Sequence, residues 1–266
     1  MKRLAWATDI HLNFLEPPQV EAFCREIEAA SPDALLITGD IAEARSVGPD
    51  LWRLARRLAR PIYFVLGNHD FYGSSIARVG EAMDALLSEA PGLVWLTRES
   101  VVALTEETGL VGHDSWADGR LGNSARSPVM LSDFIRIEDL AWLSVEERFA
   151  RLAALGDRAA DHFRKVLPEA LDRFPRVLLL THVPPFREAC WHEGRISDDD
   201  FLPHFSCKVV GEVLVETMRA RPDRDLTVLC GHTHGRGYVE VLPNLRVKTG
   251  GATYGSPAIE EVLTVA

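Results

Sequence analysis

Five short runs in this chain are apolar residue after residue, without the alternation of a half-exposed strand. They are LAWAT at 4–8, ALLIT at 34–38, IYFVL at 62–66, VLLLT at 177–181 and LTVLC at 226–230. A strand of that texture is covered on both faces, which a sheet clothed by other layers provides. Helical stripes separate the first three runs. Val20, Phe23, Cys24 and Ile27 follow Pro17 and Pro18, which suit a helix start. Leu51, Trp52, Leu54, Ala55 and Leu58 form a second stripe, and Ile76, Val79, Met83, Leu86 and Leu87 a third. The alternation predicts an α/β fold whose sheet has a parallel portion flanked by helices.

After Pro91-Gly92 the texture changes. LVWLT, SVVAL and LVGHDSW read as short strands joined by polar turns, a hairpin-like region. Residues 117–143 show weak periodicity and are expected to be loop-rich. Ser144 and Glu147 form a capping box at the head of a helical region reaching about Phe174, which Pro168 should kink or divide. A helix carrying Val209, Val210, Val213, Leu214 and Met218 follows, and YVEVL and LRVKT form a closing hairpin around Pro243-Asn244. No repeat or linker interrupts the chain. One domain over residues 1–266 is expected, with loop-rich or helical insertions at about 117–175 and 186–205.

The 266 residues are 47% hydrophobic and carry a net charge of −10, so the surface as a whole repels a polyanion. Binding to a nucleic-acid polymer is disfavoured, whereas a small phosphorylated substrate is not. The four cysteines form no Cys-x-x-Cys pair, consistent with reduced thiols. Asp9 and His11 interrupt the first apolar run too soon for a signal peptide, and no run reaches the roughly 18 residues of a membrane span. A cytoplasmic protein without membrane partners is the expectation.

The exits of the apolar runs carry the chemistry. The first ends in DIH (Asp9, His11), the second in GDIAE (Asp40, Glu43) and the third in GNHD (Asn68, His69, Asp70). The fourth ends at His182, and the last in GHTH (His232, His234). In open α/β sheets, ligands bind beyond the carboxyl ends of the strands. Taken singly, an Asp after a strand is a helix cap and a lone His is structural. Taken together, five of the nine histidines follow buried strands, and every exit offers oxygen or nitrogen. Carboxylate and imidazole suit Mn, Fe or Zn ions. Seven candidate ligands, Asp9, His11, Asp40, Asn68, His182, His232 and His234, exceed what one ion takes. They suit two ions about 3.5–4 Å apart with one carboxylate bridging.

The set DIH, GDIAE, GNHD, TH and GHTH, in this order from residue 9 to residue 234, resembles the calcineurin-like metallophosphoesterase superfamily. The resemblance implies a four-layer sandwich of two mixed β-sheets between helices, with a dinuclear centre at the sheet edges. It implies that Asp9, His11, Asp40 and His234 hold the first metal. Asp40 would bridge, and Asn68, His182 and His232 would complete the second. It also implies His69 as the catalytic histidine and Asp70 as the acid that orients it. Glu43 stands where the family usually has Asp.

Such a site predicts hydrolysis of a small phosphodiester or phosphomonoester by a bridging hydroxide, without a covalent enzyme intermediate. A protonated His69 would assist the leaving oxygen, a role worth about 10²–10⁴-fold. The alternatives are a protein serine/threonine phosphatase, which a shallow groove would favour, and a non-catalytic scaffold of the same fold. His113 and Asp114 follow a strand and are expected to line the pocket for substrate, with Tyr254 a weaker candidate. Arg120, Arg126, Arg187 and Arg195 are candidate phosphate clamps. Cys190, His192, His204 and Cys207 match no familiar zinc spacing.

Overall fold

The computed structural model describes all 266 residues, Met1 to Ala266. Thirteen strands form: β1 (Lys2–Ala7), β2 (Ala34–Thr38), β3 (Ile62–Val65), β4 (Leu93–Trp95), β5 (Val102–Ala103), β6 (Thr108–His113), β7 (Arg176–Thr181), β8 (Trp191–His192), β9 (Arg195–Ile196), β10 (Asp225–Cys230), β11 (Gly237–Leu242), β12 (Leu245–Thr249) and β13 (Glu261–Val265). Seven helices accompany them: α1 (Pro17–Ala29), α2 (Val47–Leu58), α3 (Ile76–Glu89), α4 (Asp133–Arg136), α5 (Val145–Arg173), α6 (Leu202–Phe205) and α7 (Lys208–Arg219).

Two mixed sheets result, ordered β13-β1-β2-β3-β4 and β11-β12-β10-β7-β6-β5. In each sheet the inner strands are parallel, and antiparallel strands close the edges at β13, β11 and β5. Successive side chains on a strand point to opposite faces, and that period sorts the core into three apolar layers. Leu4, Trp6, Ala34 and Leu36 of the first sheet meet Leu178, Leu180 and Leu229 of the second. Their neighbours Ala5, Ala7, Leu35 and Ile37 turn outward onto α1, α2 and α3. Val177, Leu179, Leu226, Val228 and Cys230 turn onto α5 and α7. The architecture is the four-layer sandwich, and the uninterrupted apolar runs are its doubly covered strands.

Three readings of the sequence need correction. LVWLT is no hairpin arm: β4 pairs in parallel with β3, because α3 carries the chain back to start it from the same end. Only β5 and β6 form the expected antiparallel turn. Pro168 does not divide its helix; α5 runs unbroken for 29 residues. Its face of Leu152, Leu155, Ala159, Phe163, Leu167 and Leu171 is buried, which outweighs the roughly 3 kcal/mol that an internal proline costs. The capping box is as read, with Ser144 Oγ accepting from Glu147 N and Glu147 accepting from Ser144 N. The last strand, β13, escaped the sequence reading altogether. No helix is long and apolar enough to cross a membrane.

Candidate metal centre

The carboxyl ends of β1, β2 and β3 meet those of β7 and β10 where the two sheets converge. Backbone bonds stitch the exits together: Asp9 N donates to Gly39 O, His11 N to Asp40 O, and Gly231 N to His182 O. Two glycines permit this approach. A Cβ on Gly67 would collide with the Asp40 carboxylate, and one on Gly231 with Thr8 and the Asp9 carboxylate. The backbone itself is held in an uncommon form. Asp9, His11, Asp40, His232 and His234 all have positive φ, between 41° and 70°. Left-handed backbone at non-glycine residues costs energy, and its concentration here marks a functional site.

Asp9, His11, Asp40 and His234 offer ligand atoms that all lie within 4.8 Å of one another, a set able to hold a metal ion. His11 Nε2 is 3.3 Å from His234 Nε2, and His234 Nε2 is 3.4 Å from Asp9 Oδ1. Asp9 is held by the His232 backbone N–H, 3.1 Å from Oδ1. Burial works to raise the Asp9 carboxyl, but the bond to His234 and the charge of His182 leave it below its ordinary value. Asp40 is likewise lowered, burial being outweighed by His182 and His69. Both carboxylates are thus held ionised at the floor of the site.

Asp40 also faces a second set. Its Oδ1 lies 3.3 Å from His182 Nε2. Asn68 Oδ1 is 3.0 Å from that same nitrogen and 2.9 Å from His232 Nδ1. The other ring nitrogens fix the tautomers. His182 Nδ1 donates to Thr38 O at 2.8 Å, and His232 Nε2 donates to His204 O at 2.9 Å. With those protons committed, His182 Nε2 and His232 Nδ1 each present a lone pair to an amide oxygen. With both rings neutral, three acceptors converge, a placement that a cation satisfies. Burial opposes a proton on His182, but the Asp40 and Asp9 charges raise it above its ordinary value, so without a metal a proton on Nε2 takes that place. Burial lowers His232 to about 4, with His182 adding to the effect, so a proton is disfavoured there. The donor set fits a pair of ions with Asp40 between them.

Asn68 is oriented by residues that the sequence did not flag. Its Nδ2 donates to Asp133 Oδ1 at 2.8 Å and to the Tyr72 hydroxyl at 3.3 Å. The Tyr72 hydroxyl donates in turn to Asp133 Oδ1 at 2.6 Å. Asp133 opens α4, within the stretch of weak periodicity, where no pattern distinguishes it from any surface acid.

His69 lies beside the cluster, its Nε2 3.8 Å from Asp40 Oδ2, with its backbone N–H donating to Asp40 Oδ1 at 2.9 Å. Its side chain keeps 16% of its surface exposed, against 1% for Asp40. Asp70 does not orient it, contrary to expectation. The Asp70 carboxylate accepts from Ile41 N, Ala42 N and Gly67 N at 2.8–3.0 Å, and the His69 Nδ1 has no partner. Asp70 therefore ties the exit of β2 to that of β3. Burial and the nearby Asp40 charge push it up to about 8, against the pull of the three donors.

His113 and Asp114 are not brought to the site. The Asp114 carboxylate accepts from Leu66 N, Trp95 Nε1 and Thr97 Oγ1, so it braces the strand ends from behind. The His113 ring packs 5.0 Å from that of His162, and its Nδ1 accepts from Ser115 N. Both are turned inward because β6 lies beside β7 in full register up to His113 and Thr181. Glu43 spends its carboxylate on Arg136, at 2.7 and 2.8 Å. Arg120 pairs with Asp118 and Asp157, and Arg187 with Asp199. Cys190 and Cys207 are buried, and neither joins His192 or His204 in a ligand set.

Above the cluster opens a cleft of about 370 Å³. Met130, Leu131 and Ser132 line one part of it, and His192, Phe205 and Tyr254 line others. Tyr254 stacks over the site, its ring 4.6 Å from that of His11 and 5.1 Å from that of His234.

Comparison with known proteins agrees with this geometry. The family described as calcineurin-like phosphoesterase matches residues 2–236. A search of curated proteins by sequence returned no match. Among solved structures, a phosphopantetheinyl hydrolase from Mycobacterium tuberculosis superposes with a TM-score of 0.66 at 16% identity, over 96% of this chain and 94% of that one. A dimetal phosphatase from Danio rerio gives 0.58 at 13% identity, over 94% and 87%. The protein TT1561 of Thermus thermophilus gives 0.56 at 14% identity, over 94% and 89%. At such identities these likenesses show the fold.

Proposed function

The chain belongs to the calcineurin-like phosphoesterase family, and from that premise we propose that it hydrolyses small phosphate esters with the help of two metal ions. The observation that carries this reading is the convergence of His182 Nε2, His232 Nδ1 and Asn68 Oδ1 beside Asp40, next to the set of Asp9, His11 and His234. Asp9, His11, Asp40 and His234 would hold one ion; Asp40, Asn68, His182 and His232 would hold the other. Such ions supply Lewis acidity, making water nucleophilic near neutral pH and neutralising charge on the phosphoryl oxygens.

The chain's own groups do the rest. Asp40 sits between the two sets and fixes their separation. Thr38 O and His204 O hold the ring tautomers of His182 and His232, so their lone pairs stay aimed inward. His69 Nε2 stands at the exposed margin of the cluster, where a protonated ring can deliver a proton to the leaving oxygen. The segments around 130–133 and 192–205 wall the cleft, which supports a small substrate over the shallow groove that a protein phosphatase would use.

The test is hydrolysis of a chromogenic phosphomonoester and the matching diester. The protein would be stripped and reloaded with Mn²⁺, Fe²⁺ or Zn²⁺, with Asp40→Asn and His69→Ala as variants. Turnover of either ester that Asp40→Asn abolishes supports the reading. Failure of both esters with every metal would refute it.

A further inference from the structure

The cleft over the cluster owes its charge complementarity to the metal-ligand set and not to basic side chains. None of its fourteen lining residues is Lys or Arg. Arg136 pairs with Glu43, Arg187 with Asp199, Arg120 with Asp118 and Asp157, and Arg236 with Glu260. Arg126 and Arg195 are exposed, make no ion pair and stand outside the lining. Beyond the candidate ligands, the lining instead includes Tyr72, Met130, Leu131, Phe205 and Tyr254, together with His192. Its one additional carboxylate, Asp133, is buried and already accepts from Asn68 and Tyr72.

The aromatic groups flank the cluster from two sides. Tyr254 stands on the side of His11 and His234, half exposed at 51%. Phe205 stands on the side of His232, its ring 5.4 Å from that imidazole and 5.3 Å from the ring of His192. A flat or apolar group gains contact area against such walls. An anion held against those walls, away from the metal ligands, would lose water and find no Lys or Arg in exchange.

Resting on the reading of this cleft as a phosphoesterase site, we propose that the group esterified to the scissile phosphate is uncharged and flat or apolar. It carries no second anionic group, and Tyr254 is a residue that determines this specificity. The substrate class is a single-phosphate ester of an aromatic or similarly compact organic alcohol. Esters bearing a second phosphate or a carboxylate next to the scissile bond are poor substrates.

The experiment compares 4-nitrophenyl phosphate with the same ester bearing a ring carboxylate, using the Mn²⁺-loaded protein. The carboxylated ester should show a kcat/KM lower by roughly tenfold or more, the cost of an unpaired charge in the cleft. Tyr254→Ala should raise KM for the uncharged aryl ester by roughly fivefold with little change in kcat, and Tyr254→Phe should restore it. Equal or better turnover of the carboxylated ester would overturn the proposal, as would an unchanged aryl KM in Tyr254→Ala. Calorimetric binding of phenylphosphonate and its 4-carboxy derivative makes the same comparison without turnover. A preference for phenylphosphonate with no ester hydrolysed would sink the hydrolase reading and leave the selectivity standing; equal binding would overturn the selectivity.

Discussion

Asp133 Oδ1 accepts the Asn68 Nδ2–H over 2.8 Å, and this contact decides which end of the amide faces His182 and His232. Were the amide reversed, its NH₂ would point into the cluster and repel a cation. Asp133→Ala removes the anchor while leaving every candidate ligand in place. Affinity for the second ion should fall about 10–100-fold, the usual weight of a residue that orients a ligand. Asp133→Asn keeps an acceptor and should recover part of it. Metal titration by calorimetry reads both, and unchanged second-site affinity in Asp133→Ala would contradict the assignment.

Asp70 is predicted to act through the backbone. Its carboxylate satisfies three buried N–H groups, of Ile41, Ala42 and Gly67. Asp70→Ala orphans all three, and each buried donor without a partner costs about 1–3 kcal/mol. Urea unfolding of the metal-free protein should show a loss of several kcal/mol. A stable Asp70→Ala protein defective only in turnover would restore the view that Asp70 serves His69 directly.

Glu43 and Arg136 should matter much less. Their ion pair is partly exposed, at 25% and 42%, and such pairs contribute roughly 0–1 kcal/mol. Arg136 also lies over the Tyr72 ring at 4.7 Å. Glu43→Asp shortens the reach and should break the pair with a fall in stability under about 1 kcal/mol. Thermal unfolding checks this, and a large loss would place Glu43 closer to the centre than its contacts indicate.

His113 makes the fold sensitive to acid. Burial depresses its imidazole from 6.5 to about 3, and His162 and Arg98 add to the effect. The unfolded chain therefore binds a proton that the folded chain refuses. Stability is full above about pH 6.5 and falls as pH drops toward 3, by up to a few kcal/mol from this group. Asn carries an acceptor near the position of Nδ1, so His113→Asn should preserve the bond from Ser115 N. Its unfolding midpoint, measured without metal, should fall less steeply between about pH 6.5 and 4 than that of the unaltered protein. Parallel profiles would contradict the prediction.

What the sequence discloses of this site follows from strand geometry. Asp9, Asp40, Asn68, His182 and His232 each sit just past an apolar run, and parallel strands deliver such residues to one edge. Asp133 and Phe205 carry no such mark, since tertiary packing alone brings α4 and α6 to the cluster. Tyr72 lies only four residues beyond Asn68, but an aromatic there reads as core. The same limit explains His113 and Asp114. They too follow a buried strand, but the pairing of β6 with β7 turns them behind the site, and no local pattern encodes that. β4 and β13 were obscure for a related reason. A short edge strand is defined by its partner: β4 pairs with β3 across the intervening α3, and β13 with β1 at the other end of the chain.

The central claim is that Asp40 joins two ligand sets, each holding an ion. Its most direct test is the number of Mn²⁺ ions bound per chain, by elemental analysis alongside calorimetry. Two ions are predicted for the unaltered protein. His182→Ala should keep only the first, Asp9→Asn only the second, and Asp40→Asn should weaken both. One ion or none in the unaltered protein, or two tightly held ions in Asp40→Asn, would contradict the account.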